Sequence, residues 1–311
     1  MRKSVVVVLC ILFCALLPST GHASVARCFG RPATIVGTAG NDTLQGTAGN
    51  DVIVGLAGDD TIAGGGGNDA ICGGKGNDFL TGDDGNDFLS GGHGQDTIDA
   101  FDDVFNKPGG AGNDRLNGGC GSDTLFGDSG NNVLLGGRGD DAIVGDSVWG
   151  RSVIVGGSGT DEVDYELASS GVFVSLSAHI ARGADSDLLF GTENLRGTGF
   201  DDVLVGNDKA NLIFGLSGND KIMGQGGNDG IEGDDGDDVL KGNNGNDLLG
   251  MDNDTGNDSM FGGVGDDVLL GHEGNDQLFG GLGVNSNDGG DGIDTCIEPD
   301  TAQGAINCEL P

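Results

Sequence analysis

The sequence predicts an all-β chain, a parallel β-roll (β-solenoid) of glycine- and aspartate-rich nonapeptide repeats. Three observations predict it. Glycine accounts for 66 of 311 residues, about three times the usual share. A nine-residue period starts at Gly37 and recurs in register along most of the chain. Within that period the sixth residue is Asp in twenty blocks, and the eighth is mostly Leu, Ile or Val. Proline is only 5 residues and the glycines do not fall at every third position, which excludes collagen.

The N-terminal residues 1–26 form the first element. Arg2 and Lys3 precede an apolar run from Val5 to Leu17, then a small, turn-prone stretch with cleavage points after Ala23 or Ala26. That order reads as a secretory signal peptide. The run is short for a membrane span and nothing later approaches eighteen apolar residues, so no membrane span is expected.

Residues 27–164 form a first repeat array. From Gly37 to Asp99 the blocks read GTAGNDTLQ, GTAGNDVIV, GLAGDDTIA, GGGGNDAIC, GGKGNDFLT, GDDGNDFLS and GGHGQDTID. The block Ala100 to Pro108 keeps the length and loses the pattern, and Gly145 to Val155 carries two extra residues. Residues 165–196 read as a β-rich spacer, because Val172, Val174 and Leu176 alternate with Phe173, Ser175 and Ser177. A second array runs over 197–297, interrupted by the extra pair Met251 and Asp252, and 298–311 is a C-terminal tail.

Each block has two halves. Positions one to five are rich in Gly and Asn, which tolerate tight turns. Positions seven to nine make a short strand whose eighth residue points inward, as expected of Ile53, Ile62, Leu80, Leu125, Leu240 and Leu269. A turn and a strand reverse the chain every nine residues, so two blocks close one coil of eighteen.

Stacking the coils sets Asp42 beside Asp60, Asp51 beside Asp69, and Asp60 beside Asp78. Rows of like charge over a thin core should repel each other. The turn carbonyls also need partners. Ca²⁺ answers both demands with six to eight oxygen ligands in a flexible cage, whereas Mg²⁺ wants a tighter octahedron. The expected metal ligands are Asp42, Asp51, Asp60, Asp69, Asp78, Asp87, Asp96, Asp114, Asp123, Asp141, Asp161, Asp202, Asp220, Asp229, Asp238, Asp247, Asp258, Asp267, Asp276 and Asp294. Neighbouring pairs among them give about twelve sites for multiple calcium ions. At Asn132, Asn211 and Asn285, which replace Asp at position six, weaker sites or turns held by side-chain amides are expected.

The pattern Gly-Gly-x-Gly-x-Asp-x-aliphatic-x, met at every specified position by GGGGNDAIC at Gly64 and GGVGDDVLL at Gly262, resembles the RTX, or haemolysin-type, calcium-binding nonapeptide repeat. The resemblance covers roughly residues 37–297. It implies a parallel β-roll with Ca²⁺ held between adjacent turns by the sixth-position Asp and by backbone carbonyls, and folding only when calcium is present. Residues 165–220 resemble the spacer that often joins two such arrays. RTX toxins and proteases usually leave the cell through an exporter that reads a C-terminal signal. An N-terminal signal peptide departs from that pattern and suits a small secreted or surface protein built of repeats.

Fifty acidic against fourteen basic residues give a formal charge of -36. Nucleic acid and anionic membranes are therefore unsuitable partners. Cys10 and Cys14 fall in the leader, leaving Cys28, Cys72, Cys120, Cys296 and Cys308. In an oxidising compartment these form disulfides. Sequence alone does not fix which; Cys28–Cys72 and Cys296–Cys308 are favoured, with Cys120 free. His93 and His272 sit on turns of nonads and His179 in the spacer, which reads as surface rather than a zinc site. Phe101, Phe105, Trp149 and Phe200 read as filling for widened coils.

No HExxH, GxSxG or GxxxxGK[ST] motif occurs, and no stretch of about one hundred non-repetitive residues could hold an enzyme domain. A non-enzymatic role is expected, in a secreted, extracellular or cell-surface protein. Two functions fit: a structural or adhesive module whose folding depends on calcium and which meets a cell-surface or matrix partner, or an extracellular calcium buffer without a specific partner. The spacer and the block at Ala100 to Pro108 break the monotony and are where a partner would bind.

Overall fold

The computed structural model describes residues 25–100, 112–145, 150–183, 186–251, 255–297 and 306–308. The expected leader and its cleavage point at Ala23, the residues Phe101, Phe105 and Trp149, and most of the block after Ala100 lie outside the described residues.

The described residues wind into a parallel β-solenoid whose strands fall alternately into two long sheets, one of sixteen strands and one of thirteen. Neighbouring strands within each sheet come from successive coils. Ile53 pairs with Ile71 and Ile71 with Leu89 in the larger sheet; Ile62 pairs with Leu80 and Leu80 with Ile98 in the smaller. The offset is eighteen residues, as two nonapeptides per coil require. Each row is parallel because the chain returns to the same sheet in the same direction after one full turn.

The eighth residue of each block points into the space between the sheets. Ile53, Ile62, Ile71, Leu80, Leu89, Ile98, Leu125, Leu240 and Leu269 are all buried and join one continuous apolar core. Most seventh and ninth residues face outward or are half-buried, following the two-residue alternation of strands, while a few such as Val54, Ala70 and Glu232 are buried. One polar residue enters this core: Asn287 takes an eighth position, fully buried, in register with Leu269.

The two sheets differ in one respect that the repeat does not announce. Strands of the smaller sheet span three residues, as in Thr61–Ala63, whereas many in the larger span six, as in Val52–Ala57 and Ala70–Lys75. The extra three are turn residues that remain laddered to the next coil, with Leu56 opposite Gly74 and Gly74 opposite Gly92.

Most of the spacer is built into the larger sheet, while its last strand, Asn194–Arg196, joins the smaller. Phe173–Ser175, Ile180–Arg182 and Ser186–Phe190 form an antiparallel excursion lying between the strands Val153–Ser158 and Val203–Val205. Val172, Val174 and Leu176 turn inward and Phe173 outward, so the alternation in the sequence is the alternation of the strand. Among the described residues no helix is long and apolar enough to cross a membrane.

Two disulfides connect the ends to the roll. Cys28–Cys72 fastens the small hairpin of Arg27–Cys28 and Arg31–Pro32 onto the outer face of the larger sheet, where Cys28 packs with Val54 and Ala70. Cys296–Cys308 closes the C-terminal segment. Cys120, expected free, is itself disulfide-bonded.

Candidate metal centres

Every coil carries the sixth-position aspartates into two buried rows, one along each edge of the roll. In most of these aspartates the backbone N–H donates to Oδ1 of the Asp one coil further on, and at Asp114 and Asp267 to Oδ1 of Asn132 and Asn285. Asp42 donates to Asp60 at 2.8 Å, Asp51 to Asp69 at 2.8 Å, Asp60 to Asp78 at 2.9 Å and Asp69 to Asp87 at 2.7 Å. The rows continue over the interruptions with a changed offset: Asp87 reaches Asp114 across 27 residues, and Asp238 reaches Asp258 across 20. Of the twenty expected ligands all but Asp42 are buried.

Oδ1 is therefore accounted for, and Oδ2 is not. In Asp60, Asp69, Asp78, Asp87, Asp96, Asp123, Asp141, Asp161, Asp220, Asp229, Asp238, Asp247, Asp258 and Asp276 it is buried with no hydrogen-bond partner. Several of these oxygens face a backbone carbonyl of the next coil. A Cβ built on Gly64 would meet Asp69 Oδ2 at 2.5 Å and the carbonyl of Gly82, on the next coil, at 2.6 Å. The same pair recurs at Gly215 with Asp220 Oδ2 and the Gly233 carbonyl, at 2.3 and 2.8 Å. Glycine at position one keeps this cradle clear.

Two oxygen acceptors facing one space need a proton donor or a cation between them. The asparagines show what a donor does there. Asn132 Nδ2 donates to the carbonyl of Gly127 at 2.6 Å, Asn211 Nδ2 to that of Glu193 at 2.6 Å, and Asn285 Nδ2 to that of Gly281 at 3.3 Å. These turns are held by side-chain amides, as the sequence suggested. Where Asp stands, the amide is replaced by an oxygen, and a proton on the carboxyl or a cation must take the place of the amide protons.

Electrostatics agree. Burial, opposed by the backbone N–H and reinforced by neighbouring carboxylates, pushes Asp78 up to about 6, Asp87 and Asp96 to about 7, and Asp238 to about 8. Such rows resist ionisation until positive charge is supplied. Among the described residues no group of three or more His, Cys, Asp or Glu side chains is arranged to hold a metal. A cation there would draw on turn carbonyls as well as the aspartates. The residues fit Ca²⁺, which accepts carboxylate and carbonyl oxygens together. Bound there, the ion would neutralise the rows and join consecutive turns; the aspartates and the first-position carbonyls would hold it.

Some members of the rows are not repeat aspartates, and the sequence reading passed over them. Asp187 in the spacer receives the Ser152 N–H on Oδ1 at 2.8 Å and the Tyr165 hydroxyl on Oδ2 at 3.2 Å. Its signal was present in the run Asp187 to Gly191, an acid followed by an aliphatic residue two places on and then glycine. Glu193 takes the corresponding place above Asp161, whose N–H it accepts at 3.2 Å. A second ladder, at position five, runs the opposite way. Asp59 N–H donates to Asn41 Oδ1, Asn77 N–H to Asp59 Oδ1, and Gln95 N–H to Asn77 Oδ1, each at 2.9 Å. The frequent Asn or Asp at position five was its signal. His93 and His179 are exposed; His272 lies half-buried with Nε2 3.2 Å from the carbonyl of Gly250.

Comparison with known proteins adds the following. The family model of the RTX calcium-binding nonapeptide repeat matches residues 36–71, 73–100, 108–143, 196–231, 228–249 and 252–286, more than half of the chain. No curated protein matches. Among solved structures, the chain is similar to a hyperactive, Ca²⁺-dependent, β-helical antifreeze protein from an Antarctic bacterium, with 16% identity, 86% of this chain and 79% of that one covered, and a TM-score of 0.28. That likeness is too loose to bear on what this chain does.

Proposed function

Because this chain belongs to the RTX calcium-binding nonapeptide repeat family, we propose that calcium folds it into a secreted structural or adhesive module. Calcium binding itself follows from the repeats. The observation that carries the proposal is the line of buried Oδ2 atoms with no hydrogen-bond donor. Without a cation each one is a desolvated acceptor set against other acceptors, and the roll accumulates that cost coil after coil. With calcium the same atoms become the joints between coils, so metal binding and folding are one event. Outside the cell, where calcium is plentiful, the roll is compact; inside, it is loose.

The outer surface supports a binding role over simple buffering. On three adjacent strands of the larger sheet Val133, Val153 and Leu188 stand in one row, with Leu135, Val155 and Phe190 in a second. Leu188 and Phe190 are exposed, and both belong to the spacer. An apolar patch on a strongly acidic protein is a surface that a partner can use. The role is non-enzymatic: carboxylates laced into calcium cages are not poised as general acids.

Far-UV circular dichroism of residues 27–311 during a Ca²⁺ titration, with Mg²⁺ as control, tests the reading. A cooperative rise in β signal with calcium alone is expected. A chain that stays coil-like in both metals, or is already fully structured without metal, would remove its basis.

A further inference from the structure

The second residue of each block takes one of two conformations, and the choice changes the hydrogen bonding of the sixth-position Asp. In most blocks it lies in the left-handed region, as at Leu56 (φ 86°), Gly65 (φ 94°), Gly74 (φ 125°) and Leu216 (φ 79°). The sixth-position Oδ2 of those same blocks, in Asp60, Asp69, Asp78 and Asp220, has no donor. Thr38, Thr47 and Thr198 stand at the same place without positive φ. There the turn is closed on the carboxylate. Thr47 gives its N–H to Asp51 Oδ2 at 2.7 Å and its hydroxyl to the same oxygen at 2.8 Å. Thr198 gives its N–H to Asp202 Oδ2 at 2.6 Å and its hydroxyl to Oδ1 at 3.0 Å. Thr38 treats Asp42 in the same way.

We infer that the second residue decides whether a turn takes calcium, and that the Thr47–Asp51 and Thr198–Asp202 turns take none. The inference rests on the calcium reading and divides its sites. A β-branched residue disfavours the left-handed conformation, so threonine keeps the turn with its N–H inward, and its hydroxyl adds a second donor. Oδ2 then has a protein donor, and the carbonyl of the next coil that still faces it, as that of Gly215 faces Asp202 Oδ2, meets an oxygen already bonded. These closed turns fall at the first blocks of both arrays, at 37–51 and 197–202. Each array thus begins on coils that do not need the ion, and calcium joins the open coils that follow.

The test is a count of bound ions on the full chain by isothermal titration calorimetry with CaCl₂. Asp51→Asn with Asp202→Asn is compared with Asp78→Asn, which removes a ligand from an open turn. Asn211 already occupies a closed turn, its Oδ1 accepting the Asn207 N–H at 2.8 Å, so the substitution fits the fold. The closed-turn pair is expected to leave the ion count unchanged while Asp78→Asn lowers it. Thr47→Gly with Thr198→Gly frees the second residue and is expected to raise the count by about two. Circular dichroism at saturating calcium confirms that each variant folds. Loss of ions from Asp51→Asn with Asp202→Asn, or no gain from the glycine pair, overturns the inference while leaving the calcium reading intact. An unmodified chain that binds no calcium sinks both.

Discussion

Asp60 donates its backbone N–H to Oδ1 of Asp78 at 2.9 Å, and the other oxygen of Asp78 is buried with no donor. This one relationship, repeated from coil to coil, both stitches the roll and loads it with charge. The first carboxylate oxygen does the work that a backbone carbonyl does in a ladder. The second is left over, set against turn carbonyls, and its neutralisation governs how the protein responds to metal and to pH.

Replacing Asp78 by Asn exchanges that oxygen for a donor. The amide is expected to bond the first-position carbonyl of its own block, as Asn132 does to Gly127. The metal-free chain should then hold more β structure than the unmodified one, and its calcium response should shrink. Circular dichroism with and without chelator reads both. A metal-free variant less structured than the parent would mean that the amide cannot replace the ion.

The pH dependence of the metal-free roll has a definite sign. Burial raises Asp78 to about 6, Asp141 and Asp220 to about 7 and Asp238 to about 8, above the ordinary value of 3.8. A carboxyl whose folded pKa is raised favours the fold while protonated. Its contribution is complete below the unfolded value and is lost as pH rises through the folded one. In chelator, β structure should therefore fall as pH rises from about 5 to about 8. With saturating calcium the curve should be flat over that window. Asp51 runs the other way: burial raises it, but the Thr47 and Thr34 hydrogen bonds outweigh burial and hold it below the ordinary value. Equal stability at both ends of the window without calcium would contradict this account.

Asn287 sits in the apolar core with neither amide atom hydrogen-bonded. Its neighbour in register is Leu269. Asn287→Leu should stabilise the calcium-loaded roll by about 1–3 kcal/mol, the cost of a buried polar group without partners. A higher urea midpoint in saturating calcium is the expected result; an unchanged or lower midpoint would show that the amide has a role the apolar side chain cannot fill.

The nine-residue period, the inward eighth residue and the row of sixth-position aspartates are legible in the sequence because each coil contacts chiefly the coils beside it. Local spacing then becomes spatial neighbourhood by a fixed offset, and Asp60 meets Asp78 for the same reason that Ile62 meets Leu80. Where the offset changes, that translation stops. Nothing in the repeat says that Asp187 joins the rows across 35 residues, that most of the spacer is absorbed into the larger sheet, or that Cys120 is bonded. Nor does the consensus separate Asp51 from Asp69: Thr47 and Gly65, four places earlier, differ in sequence, but what that does to the carboxylate is seen only in the folded turn. The sequence determined the roll and the chemistry of its ligands by itself. Only the tertiary structure decided which carboxylates are left without a donor, because that depends on the backbone conformation of a residue four places earlier and on the carbonyls of the next coil.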